Sequence, residues 1–519
     1  MVRVPSLDGR FPFRKICCII CPTELPRSTS YKCKCKVMKK SEKERREQVL
    51  ENLSKQKIRS VADIESYKLS VCHPSSAGID LGSRSNYVAI NPEIAAEMGV
   101  DIVHQFATTT SGHHACRDFL LSCGVKQVSM ESTSVYWMNL YYTLEDAGIE
   151  VCLVNPKKFR MVPGRKTDIL DCQWLQTLHM YGLLKGSLIP NSDIRKLRSY
   201  MRQRESLLQD KGRYVQRMQK ALVQMNLMLV NVLDDITGVT GDAIIGQILA
   251  GERDPMKLAS LKHYTCRKSI EEIAESLNGC YKEDQLHLLK INHDAYAFIQ
   301  GQIDEVDGYI ESCLRSFPVK EVQRAAEFGE NTAEGHKRSR KKRSSKNGIK
   351  TTINLEEHLA GMTGVNLMSI TGLGANTILQ VISEVGTDMS KFPSAKHFAA
   401  YLGFVPRNKI TGGVIISSST DRTKSRAAQA FKKIIPSISR TDSAFATFYH
   451  RISAKAGTGK AVTATCRKLA MAFYNTIVLG QDYVEEGNKR YKQRLADKEK
   501  SLLEKLARKH NLQLSPVAC

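Results

Sequence analysis

The sequence predicts an N-terminal α/β domain, a long helical connector and a compact all-helical C-terminal domain, on three observations. Short β-patterned runs (76–90, 125–131 and 149–155) alternate with helical ones as far as about residue 190. Residues 194–232 hold apolar positions at three- and four-residue spacing, and from about 355 the apolar pattern is helical throughout. At 519 residues the chain is also longer than one hydrophobic core supports, so two or three domains are expected.

The elements follow in chain order. Residues 1–37 contain Cys17, Cys18, Cys21, Cys33 and Cys35 but no clear periodicity. Cys18 and Cys21 are spaced as zinc ligands often are, yet Cys33 and Cys35 make a poor second half-site, so the segment reads as a disordered upstream extension before an alternative start at Met38. Residues 38–75 are charged and helix-prone, a helical lead-in. AGIDLGSRSNYVAI then reads as a strand, a turn around Gly82 to Asn86 and a returning strand. VKQVSME and IEVCLVN are two more strands, separated by a helix beginning near Val135, and the α/β domain spans 76–190. Trp137 and Trp174 lie on apolar helical patterns and read as core.

The basic run 194–232 predicts one long helix at the start of a coiled-coil connector, 191–328. Its Arg195, Lys196, Arg198, Arg202 and Arg204 suit an RNA contact or the solvated flank of a helix pair equally well. Within the connector, SIEEIAESLNG is a helix capped by Ser269 and ended by Gly279, and a second long helix after Asp294 packs back on the first. Residues 329–354 carry a cationic run from Lys337 and read as a flexible linker, followed by a helical domain at 355–485 and a charged helical tail at 486–519.

Charge narrows the partners. With 77 Lys+Arg against 53 Asp+Glu the formal net charge is +24, which suits polyanions, since a basic surface gains affinity by releasing counterions from phosphates. No apolar stretch is long enough to cross a bilayer, and the 15 cysteines form no regular secreted framework, so a reducing cytoplasm is expected.

Four acids stand out in the α/β region. Two-metal phosphodiester chemistry needs carboxylates that hold two Mg²⁺ ions roughly 4 Å apart. Asp80 falls within the first strand, in IDLGS, and Glu131 ends a later strand, in SMESTS. Asp168 and Asp171, in GRKTDILDCQWL, share one helix face at i, i+3. Singly, each fits a turn acid, a strand-end charge or a helix N-terminal acid; together, in a strongly basic protein, they predict a metal site. Arg165 and Lys166 beside the pair suit a phosphate or simply a solvated turn. Gly372 and Gly374 in SITGLGANTILQVISEVG resemble a helix-hairpin-helix that lets backbone approach a DNA phosphate, a plain turn between helices being the alternative.

At these residues the sequence closely resembles the DEDD transposases of insertion-sequence family 110, which are RNA-guided recombinases. The stretches that carry the resemblance are MESTSVYW, VNPKKFRMVPGRKTDILDCQWLQTLHMYGLL, LRSYMRQRESLL, LMSITGLGANTILQVISEVGTDMSKFPSAKHFAAYLGFVP and FYHRISAKAGTGKAVTATCRKLAMAFYNTI, spread over residues 76–485. The resemblance implies an RNase H/RuvC-like domain in which Asp80, Glu131, Asp168 and Asp171 bind Mg²⁺ or Mn²⁺. It also implies a C-terminal domain that supplies a nucleophilic serine to DNA. Further implied are a homodimer or tetramer, a structured noncoding guide RNA that pairs with donor and target DNA, and a prokaryotic, nucleoid-associated setting. The family's serine has no counterpart here: RNKITGG sets Thr411 at that point. Threonine keeps an attacking hydroxyl but crowds it with a β-branch. A working Thr411, a shifted nucleophile among Ser417, Ser418 and Ser419, and an inactive copy all stay open. A junction endonuclease that never links to DNA, and a degenerate copy that only binds, are the rival functions.

Overall fold

The computed structural model describes residues 70–155, 167–318, 346–420 and 425–510. The cysteine-rich start, the lead-in at 38–69, Arg165 and Lys166, and the cationic run 337–343 lie outside the described residues. Two compact units divide the chain, one ending at Gly186 and the other beginning at Ser187, and the connector and C-terminal helices belong to the same second unit.

The first unit runs β1 (Ser76–Leu81), β2 (Ser85–Ile90), α1 (Pro92–Met98), β3 (Val103–Ala107), α2 (Thr110–Ser122), β4 (Gln127–Glu131), α3 (Trp137–Asp146), β5 (Glu150–Val154) and α4 (Asp168–Met180). Its sheet has the order β3-β2-β1-β4-β5, antiparallel across β3, β2 and β1 and parallel across β1, β4 and β5. This mixed sheet is consistent with an RNase H-like fold. β1 is central and nearly all buried, which its small and apolar run SAGIDL permits. β3 was not expected: VHQFA is an edge strand, half-buried at most, and its polar residues mask the alternation. Gly78 shows how close α4 lies, since an added Cβ would stand 2.3 Å from both the Cys172 carbonyl and the Gln176 amide.

The second unit opens with α5 (Ser192–Gln224), which ends before the expected 232. Asn226 takes a positive φ of 56°, and the Cys280 amide donates to the Met225 carbonyl at 2.8 Å, so a tertiary contact turns the chain there. Next come α6 (Leu229–Val232), α7 (Val239–Leu249), α8 (Pro255–Ser260), α9 (Ile270–Ser276) and α10 (Glu283–Ser316). Ser269 caps α9 with Glu272 in a reciprocal box, as its sequence predicts. Gly279, however, does not end the helix, whose C-cap is Leu277; an added Cβ at Gly279 would meet the Met225 carbonyl at 2.5 Å, so the glycine admits the chain after α5. The second long helix starts at Glu283, ahead of Asp294.

α5 and α10 pack along each other. Tyr200 and Tyr309 stack with centroids 5.5 Å apart, and the buried Arg204 guanidinium donates to Asp307 at 2.5 Å. Most of the basic residues that suited an RNA contact are engaged within the unit. Arg198 donates to the Ser383 and Glu384 carbonyls, Arg202 grips the Glu384 carboxylate with two bonds of 2.8 and 2.7 Å, and Arg195 donates to the Pro190 carbonyl. Residues 346–352, expected as the end of a flexible linker, are strapped down. Lys346 pairs with Asp235, the Asn347 and Gly348 carbonyls accept from Arg204, the Lys350 amide donates to Asp307 at 3.0 Å, and the Thr352 amide donates to Glu311 at 2.8 Å.

Beyond the strap come α11 (Leu355–Thr363), a 3₁₀ turn (Leu367–Ser369), α12 (Ala375–Val385), α13 (Ala395–Tyr401), β6 (Arg407–Thr411), β7 (Val414–Ser419), α14 (Arg426–Ile438), α15 (Ala444–Ala456), α16 (Thr458–Leu479) and α17 (Asp482–Lys509). Phe398, Phe404, Phe431 and Phe473 are buried at their centre, with Phe431 edge-on to Phe473 at 5.9 Å. The region is mostly helical, but the β6–β7 hairpin corrects the all-helical expectation. Its register needs a two-residue turn with both φ positive, supplied by Gly412 and Gly413 at 57° and 78°, so turn chemistry overrides the helical surroundings. Among the described residues no helix is long and apolar enough to cross a membrane.

Candidate metal centre

The first unit brings the four acids to one end of its sheet. Asp80 is at the C-terminal end of β1, and the parallel register with β4 runs through Gly78↔Ser129 and Ile79↔Met130, so its continuation sets Glu131 beside Asp80. Residues two apart share a sheet face. Gly78 and Ser129 both face α4, the first by close approach and the second by donating its hydroxyl to the Leu175 carbonyl at 3.1 Å. Asp80 and Glu131 therefore point to the α4 side as well.

α4 runs antiparallel to β1: its end accepts hydrogen bonds from the Cys72 and His73 amides just before the strand, through the Met180 carbonyl. Its first turn consequently lies at the strand's carboxyl end, and that turn carries Asp168 and Asp171. Thr167 caps it, the side chain accepting from the Leu170 amide at 3.3 Å, and two acids in a first turn are favoured by the helix dipole. The buried stripe of the helix is Cys172, Leu175, Gln176 and His179, so the acids sit where that stripe reaches the carboxyl end of the central strands.

Electrostatics gives the clearest sign that the four acids are near one another. The Asp80 carboxyl is pushed up from the ordinary 3.8 to about 6, first by burial and then by the charges of Asp168, Glu131 and Asp171, in that order. Glu131 is only 4% exposed, and the Thr133 hydroxyl donates to its Oε1 at 2.8 Å. Sequence reading missed Thr133, although its place two residues after the acid in ESTS was a usable signal. As a donor set, carboxylate oxygens suit a hard divalent cation. Among the described residues, however, no three His, Cys, Asp or Glu side chains are grouped closely enough to hold a metal ion. Asp168, Glu131 and Asp171 are nonetheless within electrostatic reach of Asp80.

Around the acids the surface is partly apolar. Trp174, expected in the core, is 38% exposed, and Ile169 and Leu170 beside it are exposed too. Trp137 is half-buried, packed edge-on to Tyr141 at 5.5 Å, with its indole N–H donating to the Ser134 carbonyl.

The other expected site residues are in the second unit. Thr411 is exposed at the end of β6, opposite Val414, while Ser417, Ser418 and Ser419 lie along β7. Gly372 has a φ of +93°, and an added Cβ would strike Ile438 Cγ1 at 2.2 Å, so packing against α14 requires this glycine. Gly374 differs: it is the N-cap of α12 and an added Cβ would meet nothing within 4 Å, so the helix end beside it is open.

Comparison with known proteins matches two family models. The IS110 DEDD transposase model, described as a transposase, matches residues 77–227, which include all four acids. A second, described as the transposase IS116/IS110/IS902 family, matches residues 365–450, which include Gly372, Gly374 and Thr411. No curated protein matches the chain. With the DEDD domain and the C-terminal transposase domain matched in turn along one chain, the protein is a transposase of the IS110 family.

Proposed function

We propose that this transposase cuts and rejoins DNA strands with divalent metal, Mg²⁺ or Mn²⁺, held by Asp80, Glu131, Asp168 and Asp171, and with Thr411 as the nucleophile. The observation that carries the proposal is the Asp80 carboxyl, raised first by burial and then by the charges of the three other acids, because such clustering is costly without a cation to balance it. When bound, the cation supplies charge neutralisation at the scissile phosphate and activation of the attacking oxygen.

The chain's own residues do the rest. Thr133 holds the Glu131 carboxylate in one orientation, and α4 presents Asp168 and Asp171 from its rigid first turn. The exposed Thr411 oxygen forms a bond to phosphorus as the bond to the leaving sugar oxygen breaks, and its proton passes to a base. Attack by the released sugar hydroxyl on the protein-linked phosphate reverses the step and joins strands. The further reading has a structured noncoding RNA as guide, a dimer or tetramer as the working form, and the cytoplasmic nucleoid as the setting. The resemblance to RNA-guided relatives and the +24 charge support it.

The test is to trap a covalent protein–DNA adduct in Mg²⁺. Thr411→Ala and Asp80→Ala should each abolish it, and Thr411→Ser should keep it. Mg²⁺-dependent cutting without an adduct would assign the acids to a hydrolytic nuclease, and a wild-type protein that binds DNA but never cuts would leave only a binding copy.

A further inference from the structure

We propose that the β6–β7 arm is a DNA wedge: its apolar tip enters the base stack at one step of the bound duplex while the base of the arm grips the neighbouring phosphates. The proposal rests on the reading of the protein as a DNA-acting transposase, and names the contact by which that DNA is deformed.

Four adjacent apolar side chains carry it. Ile410, Val414, Ile415 and Ile416 are 60%, 67%, 55% and 68% exposed. Single exposed apolar residues are ordinary on a protein surface, whereas four at one hairpin tip make a patch that needs a partner. Strand alternation divides them. Ile410 and Ile415 are opposite each other on one face, Val414 lies on the other, and Ile416 is the unpaired residue at the register shift between them and the base of the arm. A flat protein surface covers one face of such a ribbon; an opened base step, with a base above and a base below, covers both. The hairpin is a sheet of its own, β6 with β7, and an isolated two-stranded ribbon is marginal in water until something packs on it.

Charge chooses the partner. From Arg407 to Thr420 there is no acid. Below the tip, the cross-strand pairs are Arg407↔Ser419, Asn408↔Ser418 and Lys409↔Ser417, an exposed or half-exposed band of cations and hydroxyls. That band is suited to phosphate oxygens. A second copy of the same arm would bring like charges together instead. A cationic base under an apolar tip is the arrangement with which architectural proteins kink duplexes, by inserting Ile, Leu or Phe side chains between steps.

The experiment uses the full chain expressed in cells from a plasmid that carries the reading frame with its flanking DNA. Bound DNA is recovered by crosslinking, and permanganate oxidation maps unstacked thymines in it. With the wild type, thymine reactivity should rise within the bound sites. The triple variant Ile410→Ser/Ile415→Ser/Ile416→Ser should lose that rise while still recovering DNA, and Val414→Ser, on the opposite face, should lose part of it with an unchanged melting temperature. Bound DNA with no reactive thymines, or reactivity that survives the triple variant, overturns the wedge and leaves the transposase reading intact. A triple variant that alters the oligomeric state but not thymine reactivity assigns the arm to a second copy and overturns it too. A wild-type chain that recovers no DNA sinks the transposase reading along with it.

Discussion

Asp80 couples stability to pH. Its folded pKa, about 6, is above the ordinary 3.8, so folding must hold a proton that the unfolded chain releases. The penalty is absent below about pH 3.8, grows as pH rises, and is complete above about pH 6. Asp80→Asn removes the charge, and in the metal-free protein at neutral pH it should raise stability by about 1 kcal/mol, solvent screening having reduced the full effect of the shift. The gain should shrink toward pH 4. Thermal melts of both proteins across that range check it, and a difference that does not vary with pH would remove the electrostatic basis of the site. Asp80 itself was legible in the sequence because a strand pattern, a following small residue and a later acid pair are all local signals. Thr133 was not singled out, because a hydroxyl two residues after an acid acquires meaning only when the strand end sets the two side chains together.

At the scale of elements, α4 against β1 and α5 against α10 decide the architecture. Gly78→Ala puts a methyl group within 2.3 Å of two α4 backbone atoms. The helix must shift, at a cost of roughly 1–3 kcal/mol, and with it the acids of its first turn. Calorimetric titration with Mn²⁺ should show weaker binding by this variant, and native affinity would mean that α4 does not set the site. For the long helices, Arg204→Met leaves Asp307 buried without its cation and should cost about 3–5 kcal/mol, whereas Arg204→Met with Asp307→Leu should recover most of that. Denaturant melts of the single and double variants decide it: additive losses would show that the pair does not act as a unit. Both long helices were legible from their three- and four-residue spacing. The end of α5 was not, because Asn226 turns the chain in response to the segment after α9. Nor was the internal use of the arginines: on a helical pattern, Arg198, Arg202 and Arg204 look the same whether they face solvent or Glu384 and Asp307.

For the whole molecule, net charge governs how it meets DNA. At +24, non-specific binding should be dominated by counterion release, and affinity should fall at least about a hundredfold between roughly 50 and 200 mM salt. Titration of a random duplex at several salt concentrations measures the slope, and a shallow one would assign the excess charge to something other than DNA. The sequence by itself determined the charge, the α/β start and the long helices, and it singled out the four acids as candidates. Each of these is written in composition, in periodicity or in a motif whose residues are neighbours in the chain. Only the tertiary structure decided that the acids share one sheet end, that Gly372 serves packing while the helix end beside Gly374 is open, and that Thr411 rides an exposed ribbon. Those outcomes depend on which residues distant in sequence come into contact, and such contacts are set by packing and register rather than by any local pattern.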